Sequence, residues 1–173
     1  MTGGETWDAL YVRAAQRSPL GATVPAVGSA GWVGNGLMDQ STWGVGWSDK
    51  QHVFGWYTDI RGTISVTGGE SWSFNFSGHK LNTMYRTVLD PVTGTMYGAS
   101  SSVHDMYMST HLTDASIDKG DGLVLSSING GQAWETVWDA QMPVIWISLD
   151  PTRPDRMCLF RPILVDWIHT SID

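Results

Sequence analysis

A six-residue string occurs three times in the chain: Thr2-Gly3-Gly4-Glu5-Thr6-Trp7, Thr67-Gly68-Gly69-Glu70-Ser71-Trp72 and Asn129-Gly130-Gly131-Gln132-Ala133-Trp134. The copies align without gaps, and their tryptophans stand 65 and 62 residues apart. A near-constant period is the signature of a repeat architecture, and it restricts the fold more than composition does. In the second and third copies the match reaches back to Ser65 and Ser127, giving Ser-x-[Thr/Asn]-x-Gly-x-[Ser/Ala]-Trp. A short polar side chain at Thr67 or Asn129 bonds backbone groups a few residues on, and the glycines accept positive φ. The tryptophan then re-enters a sheet as a large apolar plug. The string therefore predicts a tight turn between two strands.

A second period supports it. Val88-Leu89-Asp90-Pro91 and Ser148-Leu149-Asp150-Pro151 both end apolar runs and open turns, 60 residues apart, and Trp43, Val45 and Trp47 alternate before Asp49 in the equivalent place. Each unit then reads as strand A (43–48, 84–89, 143–149), strand B (53–58, 95–100, 156–160), strand C (62–66, 122–127) and strand D (72–76, 134–138). Twenty glycines and ten tryptophans in 173 residues suit short strands, tight turns and aromatic packing. Four short antiparallel strands per repeat make a propeller blade.

The turn string resembles the Asp-box, or BNR, repeat of sialidase-like β-propellers, with Thr, Thr and Asn where that family has aspartate. The resemblance implies an all-β chain, a partial β-propeller of four-stranded antiparallel blades, with two complete blades and partial blades at each end. Residues 1–12 end a preceding blade and 13–42 form a long connection. Residues 43–76 make one blade, 84–138 a second, 143–160 the start of a third, and 161–173 an atypical tail. The structural box residues are Thr2, Gly4, Trp7, Ser65, Thr67, Gly69, Trp72, Ser127, Asn129, Gly131 and Trp134. From Asp49 to Trp72 is 23 residues but from Asp90 to Trp134 is 44, so the second blade carries an insertion at 101–121. A propeller ring takes about 4 to 8 blades, so the chain is expected to be a fragment that self-associates or joins the remaining blades of a longer protein.

Tyr57-Thr58-Asp59-Ile60-Arg61-Gly62 resembles the Thr-Asp-Ile-Gly-Gly segment that carries a catalytic aspartate in xyloglucan-degrading propeller hydrolases, with Arg61 in place of the first glycine. The resemblance implies that Asp59 is a catalytic carboxylate. Glycoside hydrolysis needs two carboxylates, and those hydrolases draw the second from another half of the molecule, so this chain is expected to be inactive alone. The alternative for Asp59 is a structural turn residue, capping or paired with Arg61 or Arg86. The insertion offers His104, Asp105, Tyr107 and His111 as candidate glycan-binding residues, since aromatic faces stack on sugar rings and carboxylates take hydroxyls; the alternative is a polar, Ser/Thr-rich loop that His104 and Tyr107 help fold down on the propeller. Trp32, Trp43, Trp47 and Trp56 include further stacking candidates, although their alternation reads mainly as blade core. The alternative function is a non-catalytic glycan- or protein-binding propeller, or an assembly scaffold.

Other chemistries are excluded on spacing. His104 and His111 stand seven apart without a zinc-ligand pattern, and Asp114, Asp118 and Asp121 do not follow a calcium loop, so no metal is expected. The glycine string Gly31-Trp32-Val33-Gly34-Asn35-Gly36 lacks the strand-to-helix setting of a dinucleotide site, and no cofactor is expected. Glutamate occurs only at 5, 70 and 135 and the arginines are scattered, so no sialidase site is assigned. Cys158, the single cysteine, reads as a small apolar filler. Ten basic against seventeen acidic residues, with no basic cluster, argue against nucleic acid. No apolar run reaches the roughly 18 to 20 residues of a membrane span, and Met1–Glu5 lacks signal-peptide regions. Family resemblance places such a protein outside the cytoplasm, in extracellular or periplasmic space, with any export signal upstream of Met1.

Overall fold

A computed structural model describes residues 41–103, 113–150, 152–160 and 170–171. The first box (Thr2, Gly4, Trp7), the connection 13–40 and the insertion residues His104, Asp105, Tyr107 and His111 lie outside the described residues.

The described chain is nearly all β. Three strands open it, β1 (Thr42–Trp47), β2 (Val53–Tyr57) and β3 (Gly62–Ser65), followed by β4 (Thr83–Leu89) and β5 (Met96–Ser101). A five-residue helix, α1 (Asp114–Asp118), precedes β6 (Gly122–Ser127), β7 (Glu135–Asp139), β8 (Trp146–Asp150), β9 (Arg153–Phe160) and β10 (Thr170–Ser171). They form three sheets, β1-β2-β3, β4-β5-β6-β7 and β8-β9-β10, and every pair of neighbouring strands is antiparallel. The middle sheet is a complete four-stranded blade in chain order, and the sheets on either side make the chain a partial propeller.

Period-two alternation builds the core between sheets. In β6, Leu123 and Leu125 face the first sheet while Val124 faces the third. The first junction packs Phe54, Trp56 and Ile64 against Met84, Met96, Leu125 and Trp134. The second packs Ala99 and Val124 against Val144, Ile147, Met157 and Leu159. Each sheet thus buries its inner faces against its sequence neighbour, as stacked repeats must.

The two described boxes fold alike. Ser65 Oγ accepts from Gly69 N at 2.8 Å, and Thr67 Oγ1 accepts from Ser71 N at 2.9 Å. In the second copy Ser127 Oγ accepts from Gly131 N at 2.9 Å, and Asn129 Oδ1 accepts from Ala133 N at 2.9 Å. All four glycines, Gly68, Gly69, Gly130 and Gly131, take positive φ. Neutral hydroxyl and amide oxygens hold both turns. Replacing the buried Ser127 by alanine strands the Gly131 N–H, and urea denaturation should show a loss of about 1 to 2 kcal/mol.

The A-to-B turns share a device of their own. Asp49 accepts from Gln51 N and His52 N at 2.8 Å, Asp90 from Val92 N at 2.8 Å, and Asp150 from Thr152 N at 2.8 Å. The His52 and Gln51 amides hold the Asp49 carboxyl down to about 2, and backbone or hydroxyl donors lower Asp90 and Asp150 in the same way.

Two expectations are corrected. Residues 72–76 do not form a strand: at the fourth position of the first sheet an isolated bridge joins Ile64 to Ser73, with no ladder among the described residues. Local bonds take the ladder's place, with Ser73 Oγ accepting from Asn75 N and Phe74 O from Phe76 N. Trp72 is half-buried with its indole N–H on Gly69 O at 2.9 Å, whereas Trp134 is 3% exposed and fills the core. The second correction concerns the Trp43-Gly-Val-Gly-Trp47 alternation, which turns its glycines toward the core. Gly44 and Gly46 lie against the Trp56 ring, and Trp43 (39%), Val45 and Trp47 (56%) are exposed. Of these aromatics Trp56 is the one in the core cluster.

Candidate functional site

In an antiparallel meander the A-B and C-D turns share one end of the sheet, and the B-C and D-A connections share the other. Contacts between sheets keep this sense from one blade to the next. At the box end a Cβ on Gly130 would lie 2.7 Å from Ser48 Oγ and His52 Cβ, so the second blade's box sits on the first blade's A-B turn. At the opposite end Arg61 N donates to Asn82 O at 3.0 Å, joining a B-C turn to a D-A connection. Asp59, in the β2–β3 turn, and the described stem of the insertion, at the ends of β5 and β6, therefore both lie away from the boxes.

The β2–β3 turn is held on several sides. Thr58 is fully buried; its N–H donates to Ser41 O at 3.1 Å and its Oγ1 accepts from Trp43 Nε1 at 2.8 Å. Its carbonyl accepts from the Thr83 hydroxyl. Asp59, the next residue, is exposed. Arg61 takes φ 66°, the left-handed region where the resembled segment has glycine, which costs a residue with a Cβ about 1 kcal/mol. Its guanidinium Nη1 donates to His79 O at 3.0 Å. Arg61 thus keeps the glycine-type backbone and adds a cross-blade bond.

His79 lies under this turn. It is 2% exposed, its Nε2 is 2.8 Å from Ser100 Oγ, and its Nδ1 has no hydrogen-bond partner. Ser100 Oγ donates to Thr83 O at 2.9 Å, so Ser100 accepts from His79 and the imidazole hydrogen is assigned to Nε2. Burial, reinforced by the Arg61 charge, pushes the His79 pKa down to about 3.

The insertion is rooted beside the same place. Ser102 N donates to Asp121 O at 2.9 Å and Asp121 N to Ser102 Oγ at 2.8 Å, closing its base. The Tyr85 hydroxyl donates to Val103 O, and Trp43 meets Tyr85 edge to face with ring centroids 5.0 Å apart. A continuous path runs from Asp59 through Thr58, Trp43 and Tyr85 to the stem of the insertion. Arg86, offered by sequence as a partner for Asp59, lies over the Trp146 ring at 3.8 Å with its Nε on Ile147 O, at the other junction. Among the described residues no three His, Cys, Asp or Glu side chains gather as a metal set, and no helix is long and apolar enough to cross a membrane.

Comparison with known proteins follows this geometry. No protein-family model matches the chain, and no curated protein matches it. Among solved structures it is similar to an ancestral GH74 enzyme, at 16% identity and a TM-score of 0.49, over 75% of this chain and 17% of that one. The fold assignment stands on the sheet order, registers and junctions described above.

His79, Thr83, Tyr85 and Ser100 had no signal in the sequence. None belongs to a motif, and they meet the β2–β3 turn or the insertion across a blade junction. Trp43 had a partial signal as one of several exposed or core aromatics.

Proposed function

We propose that this chain is part of a glycoside-hydrolase-like, carbohydrate-active propeller, and that the end opposite the boxes is its glycan face. The observation that carries the reading is the tethering of exposed Trp43 to Thr58, which sets an aromatic ring beside the turn that presents Asp59. The ring offers a sugar an apolar face and Asp59 offers a hydroxyl acceptor or an acid. The likeness of Thr58-Asp59-Ile60 to the segment of xyloglucan-degrading propellers, and of the box turns to Asp-box repeats, supports the same reading. The insertion at 101–121, rooted at Tyr85, supplies the recognition loop, with His104, Asp105, Tyr107 and His111 as its glycan contacts.

Catalysis by this route needs a second carboxylate about 5 to 5.5 Å from the first for retention, or about 6.5 to 9.5 Å for inversion. Further blades or another copy of the chain supply it, and the isolated chain binds without turnover. The setting of such a protein is extracellular or periplasmic.

Calorimetric titration with a xyloglucan oligosaccharide checks the reading. Trp43→Ala should weaken binding about tenfold, equivalent to about 1.4 kcal/mol, while Asp59→Asn stays within about threefold of the parent. Absence of binding at millimolar glycan, or full affinity in Trp43→Ala, would remove the glycan face. In an assembled propeller Asp59→Asn should abolish turnover and spare binding; a binding propeller or scaffold has no turnover to lose.

A further inference from the structure

We infer that Arg61 and Thr83 are positioning residues that fix the Asp59 carboxylate through bonds made across the blade junction, an inference that rests on the reading of Asp59 above. Asp59 is exposed and sits between two residues whose backbones are each tied to the segment entering the second blade. Before it, the Thr58 carbonyl accepts from the Thr83 hydroxyl. After it, Arg61 N donates to Asn82 O at 3.0 Å and Arg61 Nη1 to His79 O at 3.0 Å. The receiving segment is itself immobilised, because Ser100 Oγ on β5 holds both Thr83 O and the His79 ring. The place of Asp59 is therefore set by how the first and second blades stack.

The left-handed backbone at Arg61 sharpens the point. Glycine would serve the turn without strain, yet the chain carries a residue whose side chain reaches the neighbouring segment. The bond it makes there ties the turn that presents Asp59 to the neighbouring segment and narrows the positions the carboxylate can take.

The test uses the full chain with carboxyl-carbon-labelled aspartate, the Asp59 resonance being assigned by its loss in Asp59→Asn. Three variants are compared with the parent: Thr83→Val, which removes the hydroxyl and keeps the shape; Thr83→Ser, which keeps it; and Arg61→Gly. Amide exchange at Arg61 should rise at least tenfold in Thr83→Val and return toward the parent value in Thr83→Ser, with β2 and β3 amides unchanged. The shift of the Asp59 resonance on adding a xyloglucan oligosaccharide should fall by half or more in Thr83→Val and Arg61→Gly, and recover in Thr83→Ser. A parent resonance unmoved by glycan removes the Asp59 reading and this inference with it. A resonance that moves equally in the parent, Thr83→Val and Arg61→Gly overturns the positioning role alone.

Discussion

Replacing Gly78 by alanine should destabilise the chain by about 3 kcal/mol or more, enough to unfold a marginal domain. Gly78 has φ 81°, and a Cβ there would overlap the Trp134 carbonyl oxygen. That oxygen cannot move away cheaply. Ser77 N donates to Gln132 O and Trp134 N to Ser77 O, both at 3.0 Å, so the two backbones are locked together beside Gly78. Any shift also displaces the Trp134 ring, which packs edge to face on Phe54 in the first junction. Gly94→Ala serves as the control. It shares the positive φ, at 73°, but a Cβ there meets nothing within 4 Å, so it should cost about 1 kcal/mol. Thermal and urea unfolding of the two variants then separate backbone strain from overlap, and equal losses would refute the role given to the junction.

The second large effect is on pH dependence. His79 titrates near 6.5 when unfolded and near 3 when folded, because its buried imidazole resists charge. Its contribution to stability is complete above about pH 6.5 and is lost progressively as pH falls toward 3, since across that window the unfolded chain binds a proton that the folded chain does not. Between pH 7 and pH 4 the loss is roughly 3 kcal/mol. Asp49 acts in a lower window, between its ordinary value near 4 and about 2, so the two groups are separable. His79→Gln keeps an N–H for Ser100 and cannot titrate. Its unfolding free energy should be flatter than the parent's from pH 7 to 4 by about that amount, and an unchanged slope would mean that His79 is not buried neutral.

The box turns were legible because their chemistry is local. Ser65 meets Gly69, Thr67 meets Ser71, and Asn129 meets Ala133, each four residues on, so the bonding partners are written side by side. The Asp49, Asp90 and Asp150 turns were legible for the same reason. Strand D of the first unit was misread since a box tryptophan alone does not make a ladder; Trp72 bonds back to Gly69 while Trp134 enters the core. The Trp43 and Trp47 alternation was misread because a period of two tells that faces differ, not which face is inside. Room for the Trp56 ring decided it, and glycine provided that room.

By itself the sequence determined the antiparallel strands and the chemistry of the turns between them. These follow from short-range hydrogen bonds and strand periodicity, both carried by neighbouring residues. Tertiary structure alone decided what surrounds Asp59. Thr58 meets Thr83, Arg61 meets His79 and His79 meets Ser100 at separations of 25, 18 and 21 residues. Those meetings exist because one blade stacks on the next, and stacking is driven by non-directional apolar burial spread over Phe54, Met84, Leu125 and Trp134, which no short motif encodes.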